Sequence, residues 1–202
     1  MRALILAGGR ASRLAGRDKT ALQYGSRTLL EHAVAAAQAA RECVIVGPVS
    51  PFPAIRAVLE EPRYGGPVAA LAAGLAALTP AEDGDILVLA ADQPRVTEAV
   101  PALLAAAGGT AAAWVAVDEA GRRQPLLALY REDALRAAVA SLGDEVAGAS
   151  LRRLLAQLPE VAEVPLADRL TADVDTPEDA ARAGIPGFGV LSEEGIPRKD
   201  HP

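Results

Sequence analysis

Short apolar runs recur through this chain at wide intervals, and alanine-rich stretches of helical character lie between most of them. Ala3-Leu4-Ile5-Leu6, Cys43-Val44-Ile45-Val46 and Ile86-Leu87-Val88-Leu89-Ala90-Ala91 read as buried strands. The pattern predicts strands over 2–7, 43–47, 85–92, 111–117, 124–130 and 161–165, and a short strand or single turn at 55–60. Helices are expected over 28–41, with Thr28 or Ser26 near the cap, and from Gly65-Gly66-Pro67 to about residue 78. Further helices are expected over 97–107, 131–142, 148–157 and 176–183, the last opened by Thr176-Pro177-Glu178-Asp179. A βαβα order folds as an α/β sandwich around a mostly parallel sheet. Asp118-Glu119-Ala120-Gly121 is a turn signal between two of the strands, so an antiparallel excursion is expected there.

Composition narrows how those layers pack. Half of the 202 residues are apolar, yet aromatics make up 3%, so Ala, Val and Leu must build the core and helices must lie close on the sheet. The length suits one large domain. From Ile185 onward glycines and prolines stand among charges, which predicts a domain of residues 1–184 and a mobile tail over 185–202. A net charge of −6 argues against nucleic acid or an anionic membrane as a partner. The single cysteine, Cys43, sits in an apolar run and excludes an intrachain disulfide. The amino end enters a strand directly and no apolar run approaches about 18 residues, so a cytoplasmic protein without signal peptide or membrane span is expected.

Candidate chemistry gathers where strands end, because ligands of open α/β sheets collect at the carboxyl ends of the strands. After the first strand come Leu6-Ala7-Gly8-Gly9 and then Arg10, Arg13, Arg17 and Lys19. Paired glycines let a ligand approach the backbone, and the cations suit a polyphosphate. The Walker and Rossmann glycine patterns are absent. Asp92 ends the central strand, and Asp173-Val174-Asp175 precedes the last helix. Nucleotidyl transfer explains such a set. Two anions must meet, cations must offset their repulsion and the charge on departing pyrophosphate, and Mg²⁺ takes one or two carboxylates plus phosphate oxygens. Asp92 suits the metal, with Asp175 as a second ligand; either carboxylate can instead cap a turn or helix. Asp18 either pairs with Lys19 or is solvated, Arg10 and Arg17 read equally as surface charges, and His32 reads as a packing residue.

The string L-A-G-G-x-x-x-R-[LM]-x-G-x-D-K over residues 6–19 resembles the signature loop of the molybdenum-cofactor guanylyltransferase family. Further landmarks follow in order. Glu60-Glu61-Pro62-Arg63-Tyr64-Gly65-Gly66-Pro67 resembles the segment that lies against the base, and Asp92-Gln93-Pro94 the D-x-P metal motif. Arg123 to Tyr130 resembles an acceptor-side Q-P-L-x-A-L-Y strand, and Asp173 to Asp179 the closing N-x-N-T-P-E-[DE] segment. The resemblance implies a three-layer α/β/α Rossmann-like nucleotidyltransferase, akin to the nucleotide-diphospho-sugar transferases. It implies Mg²⁺-dependent transfer of GMP from GTP to the terminal phosphate of molybdopterin, with handover of the product to molybdoenzyme apoproteins. It assigns catalysis to Arg13, Lys19 and Asp92, metal binding to Asp92 and Asp175, and nucleotide contacts to Leu6, Ala7, Gly8, Gly9, Arg13, Lys19, Glu61, Gly65, Gly66 and Asp92. Asp173 and Asp175 stand where the guanylyltransferases often carry asparagine, the D-x-D-T-P-E-D form being common among cytidylyltransferase relatives, and Ala70 stands where glycine is frequent. Leu-Ala-Gly-Gly and Gln124-Pro125 favour GTP over CTP. The alternatives are a molybdopterin cytidylyltransferase, a sugar-1-phosphate nucleotidyltransferase, or a non-catalytic nucleotide-binding or cofactor-carrier module.

Overall fold

The computed structural model describes residues 1–8, 18–48, 51–79, 81 and 84–187. Strand β1 (Arg2–Leu6) is buried along its whole length. It lies between β4 (Cys43–Val46) and β6 (Asp85–Ala90), parallel to both, with Leu4 opposite Val44 on one side and Val88 on the other. Successive side chains of these strands alternate between two cores, as a period of two requires. Leu4, Leu6, Val44, Ile86 and Val88 face α2 (Pro67–Ala77), α4 (Glu132–Ala140) and α5 (Leu151–Leu155). Ala3, Ile5, Ile45, Leu87 and Leu89 face α1 (Leu29–Ala36) and α3 (Val96–Ala106). The result is the three-layer α/β/α Rossmann-like arrangement. Small residues set its spacing: a Cβ at Gly74 of α2 would stand 2.9 Å from both Leu4 Cδ2 and Val46 Cγ2.

With β5 (Arg56–Val58), β7 (Ala113–Val117), β8 (Arg123–Arg131) and β9 (Val161–Pro165), the sheet has seven strands in the order β5-β4-β1-β6-β8-β7-β9. The expected antiparallel excursion is β8, which pairs antiparallel with β7 behind a turn where Asp118 N–H donates to the Arg122 carbonyl, 3.1 Å. The same strand also inserts antiparallel beside β6, and β9 returns to the parallel direction against β7.

Several boundaries differ from expectation. The first helix stops at Ala36 and the one expected over 148–157 spans only 151–155, because alanine favours helix without fixing its ends. Thr28, not Ser26, is the cap: it accepts from Glu31 N–H while Glu31 accepts from Thr28 N–H. A two-residue hairpin, β2 (Gln23–Tyr24) with β3 (Arg27–Thr28), and the single turn α6 (Asp168–Thr171) are too short to leave a periodic signal. His32 Nε2 donates to the Tyr24 carbonyl at 2.9 Å and so ties that hairpin to α1. Helix α7 (Pro177–Ala183) closes on Gly184, and Ile185 beyond it is buried with Leu22, Leu29, Val174 and Ala180 in a third small core.

Candidate active site

The site forms where β1 and β6 end side by side. Ala7 N–H donates to the Val46 carbonyl (2.8 Å) and Ala91 N–H to the Leu6 carbonyl (3.0 Å), which carries the ladder one residue past each strand. Beyond that last bond Gly8 and Asp92 turn away from the sheet at a shared edge. The Asp92 carbonyl accepts from Val174 N–H at 3.0 Å, and this bond draws Asp173 and Asp175 alongside.

Lys19 arrives from the other direction. It opens a 3-10 turn, Lys19–Ala21, that Asp18 caps by accepting from Thr20 N–H (2.9 Å) and from the Thr20 hydroxyl (2.7 Å). Asp18 therefore shapes the turn that presents Lys19. Leu22 below this turn and Val174 beside Asp175 share the third core, so apolar packing sets the two polar segments against each other. The Lys19 ammonium donates to Asp175 Oδ1 and stands 3.5 Å from Asp92 Oδ2. Gly9, Arg10, Arg13 and Arg17 lie outside the described residues.

Three carboxylates thus gather around one described ammonium. The Asp92 carboxyl is pushed above its ordinary range; burial is the first cause, Lys19 opposes it, and Asp173 and Asp175 add to it. Asp173 is raised too, by partial desolvation of its carboxyl and then by Asp175. Carboxylates that raise one another's proton affinity, with one ammonium among them, are the chemistry a divalent cation relieves, so the donor set fits Mg²⁺. Among the described residues no cluster of three or more His, Cys, Asp or Glu side chains forms a metal cage of its own. One or two carboxylates suffice for a cation that also takes phosphate oxygens.

Asp92, Ala90, Gly8 and Leu6 line a cavity of about 320 Å³. Glu60, Tyr64, Gly66, Pro67, Ala70 and Leu126 complete its lining. The two glycines at 65 and 66 have different reasons to be glycine. At Gly65 a Cβ would come within 2.9 Å of the Pro62 carbonyl and of Ala69 Cβ, and the residue is buried outside the cavity lining. Gly66 lines the cavity with φ of 91°, and with no side chain it leaves the amino end of α2 without a side-chain cap. Glu61, expected at the base, is exposed and stands outside the cavity lining, which takes in its neighbour Glu60 instead. Two adjacent carboxylates point to different sides of an extended chain, and the sequence does not say which faces inward. Tyr64 falls within the 60–67 segment of the sequence but is given no role of its own there, whereas Asp173 is placed by its strand-end segment without a role at the metal. Tyr130 is structural: it is buried, and its hydroxyl donates to the Pro125 carbonyl at 2.8 Å.

Asp173 also borders a second cleft, about 740 Å³, lined by Arg122, Arg123, Gln124, Arg169 and Arg182 among others. The cavity lined by the half-buried Asp92 and the separate cleft lined by Asp173 give the chain two hollows, one on each of two carboxylates that the Val174–Asp92 bond draws together.

Residues 3–162 match the family described as the MobA-like NTP transferase domain. The chain belongs to this family. As a MobA-like transferase it resembles a molybdenum cofactor guanylyltransferase from Ectopseudomonas mendocina, 31% identical over 190 residues that cover 90% of each protein. A Pseudomonas aeruginosa protein of the same name is 31% identical over 190 residues, 87% of this transferase and 90% of that protein. Among solved structures, molybdopterin-guanine dinucleotide biosynthesis protein A of Archaeoglobus fulgidus superposes with a TM-score of 0.67 at 22% identity, covering 91% of this transferase and 96% of that chain. The 2-C-methyl-D-erythritol 4-phosphate cytidylyltransferase of Thermus thermophilus superposes with a TM-score of 0.63 at 25% identity, covering 90% and 96%. The fold is that of the nucleotidyltransferases, and this MobA-like transferase is one of them.

Proposed function

We propose that this transferase moves GMP from GTP to the terminal phosphate of molybdopterin and releases pyrophosphate. The observation that carries the reading is the approach of Lys19 to Asp92, 3.5 Å apart, with Asp92 in the cavity lining. A triphosphate beside Asp92 meets an ammonium and a carboxylate suited to Mg²⁺. Glu60, also in the lining, repels phosphate and favours the base. Guanine offers N1–H and N2–H₂ side by side to a carboxylate, whereas cytosine presents an acceptor next to its amino group, so Glu60 favours GTP. The guanylyltransferase names of the two Pseudomonas-type relatives support the same choice.

Asp92 would hold Mg²⁺, and Asp175 would join it once Lys19 turns from that carboxylate to the triphosphate. Bound there, the metal ion would neutralise charge growing on the departing pyrophosphate. Lys19 shares that work as a charge-assisted donor. The acceptor phosphate approaches from the second cleft, where Arg123 and Arg169 offset its charge. One of its oxygens bonds to the α-phosphorus as the bond to the β-phosphate oxygen breaks, and that electron pair leaves with pyrophosphate. Direct in-line displacement needs no protein nucleophile. Arg13 and Gly9 belong to this reading through the family motif, as further donors to the triphosphate. A cytoplasmic setting, with the dinucleotide passed to molybdoenzyme apoproteins, completes it.

Calorimetric titration with GTP and CTP, each with Mg²⁺, tests the base. GTP is expected to bind at least tenfold tighter, and pyrophosphate release from GTP is expected to require molybdopterin. A CTP preference overturns the guanylyl assignment, and tight GTP binding with no release under any acceptor condition marks a binding module.

A further inference from the structure

Tyr64 is explained neither by the phosphate chemistry nor by the core. It is 60% exposed, and with Leu59 it is one of two large apolar side chains exposed among the described residues. Among the described residues it is also the one non-glycine residue held at positive φ, 62°, a conformation that costs an L-residue with a bulky side chain. Both flanks force that conformation. Glu60 accepts from Tyr64 N–H at 3.0 Å. Gly65, which follows, is pinned by its own N–H to the Pro62 carbonyl (3.0 Å) and by Gly148 N–H to its carbonyl (2.7 Å). Glycine would occupy position 64 without strain, yet the chain places a large aromatic ring there, on the rim of the cavity and beside Glu60. The Arg63 guanidinium, 5.6 Å from the ring centroid, braces it through a cation–π contact.

We propose that Tyr64 is the stacking platform of the nucleobase, and that residues 60–64 act as one clamp. Glu60 reads the edge of the base and Tyr64 covers its face. The same carboxylate that faces the cavity fixes the Tyr64 backbone, so edge and face recognition are set by a single turn. A strained residue at a ligand clamp is where backbone strain has a functional reason to persist. The proposal rests on the nucleotide reading of the cavity, and it assigns Tyr64 affinity for any base, whereas Glu60 supplies the choice among bases.

The full chain is titrated with GTP, CTP and inorganic tripolyphosphate, each with Mg²⁺, and melted without ligand. In Tyr64→Gly the melting temperature is expected to hold or rise, because the left-handed backbone no longer carries a side chain. Its GTP affinity is expected to fall roughly tenfold or more, and its tripolyphosphate affinity to stay within twofold. Tyr64→Phe is expected to keep GTP binding within about threefold. Tyr64→Asn, which also tolerates this backbone, serves as the second variant if the glycine variant folds poorly. GTP affinity within twofold of the original in the glycine or asparagine variant overturns the clamp, as does an equal loss for tripolyphosphate. A chain that prefers CTP sinks the guanylyl reading alone, because the tyrosine substitutions are then read with CTP. A chain that binds nucleoside triphosphates no better than tripolyphosphate sinks both.

Discussion

Lys19 is the residue on which the charge balance of the site depends, since it alone among the described cations reaches both Asp92 and Asp175. Removing it leaves those carboxylates and Asp173 facing one another with the triphosphate still to be bound. Lys19→Ala is therefore expected to weaken GTP binding by a factor of ~10 to 150, the equivalent of about 1.5–3 kcal/mol for a charge-assisted contact. Calorimetry with Mg²⁺ present reads this directly, and an unchanged dissociation constant would take Lys19 out of the site. Much of this residue-level picture is visible in sequence, for a geometric reason. Neighbouring parallel strands put their carboxyl ends on one edge, so Gly8 after β1 and Asp92 after β6 had to meet. What sequence does not carry is local backbone direction. Glu60 and Glu61 are the same residue type one step apart, and only the observed turn decides which lines the cavity. Tyr64 lies in the 60–67 segment but drew no role, because its positive φ is a conformation in which sequence reading expects glycine. Gly65 and Gly66 look alike in sequence, yet one meets packed backbone and the other supplies a left-handed turn at the cavity wall.

At the scale of elements, apolar periodicity located the main strands and helices, while side-chain caps set where they begin. The Thr28–Glu31 box starts α1 and the Thr176–Asp179 box starts α7, while Ser150 caps α5 by accepting from Arg153 N–H alone. The box at α1 has a pH signature. Thr28 N–H, and then the Thr28 hydroxyl, hold the Glu31 carboxyl below its ordinary range. A carboxylate depressed in the folded state contributes stability above its unfolded pKa and loses it as pH falls through the folded value. Thr28→Ala is expected to cost about 1 kcal/mol near neutrality, the usual worth of a cap. Glu31→Gln is expected to be less stable than the original at pH 7, with the difference closing as pH drops below about 4. Urea melts of both variants from pH 3 to pH 7 check this; a deficit that stays constant with pH would mean the ionised carboxylate does not matter to the cap. The hairpin of β2 and β3 and the turn α6 escaped sequence reading because two to four residues do not complete a period. The insertion of β8 beside β6 escaped it for a different reason: strand neighbours far apart in sequence are chosen by packing, which no local pattern records.

Across the whole molecule the two ends of the sheet do opposite work. At the carboxyl ends, partly solvated carboxylates and glycines border a cavity, an arrangement that spends stability on binding. At the amino ends, the Arg2 side chain of β1 is buried against Glu132 at the start of α4 and donates to the Thr79 carbonyl, while Glu132 also accepts from Arg136 at 2.8 Å. Glu132 N–H donates to the Gly84 carbonyl at 2.9 Å, so the same residue anchors helix, loop and strand. Breaking a buried pair by removing one partner costs about 3–5 kcal/mol, because the other charge is stranded; replacing both with apolar residues of similar size costs far less. Glu132→Ala is expected to lower the urea midpoint strongly, and Arg2→Met combined with Glu132→Leu to recover most of it. The five residues of β1 place Arg2 about 13 Å from Leu6, beyond the range at which independent sites couple. GTP affinity of the double variant is thus expected to stay within twofold of the original. A large loss of affinity in a variant that melts normally would show instead that the sheet transmits strain from its anchored end to its binding end, and the separation of stability from function along the strands would be wrong.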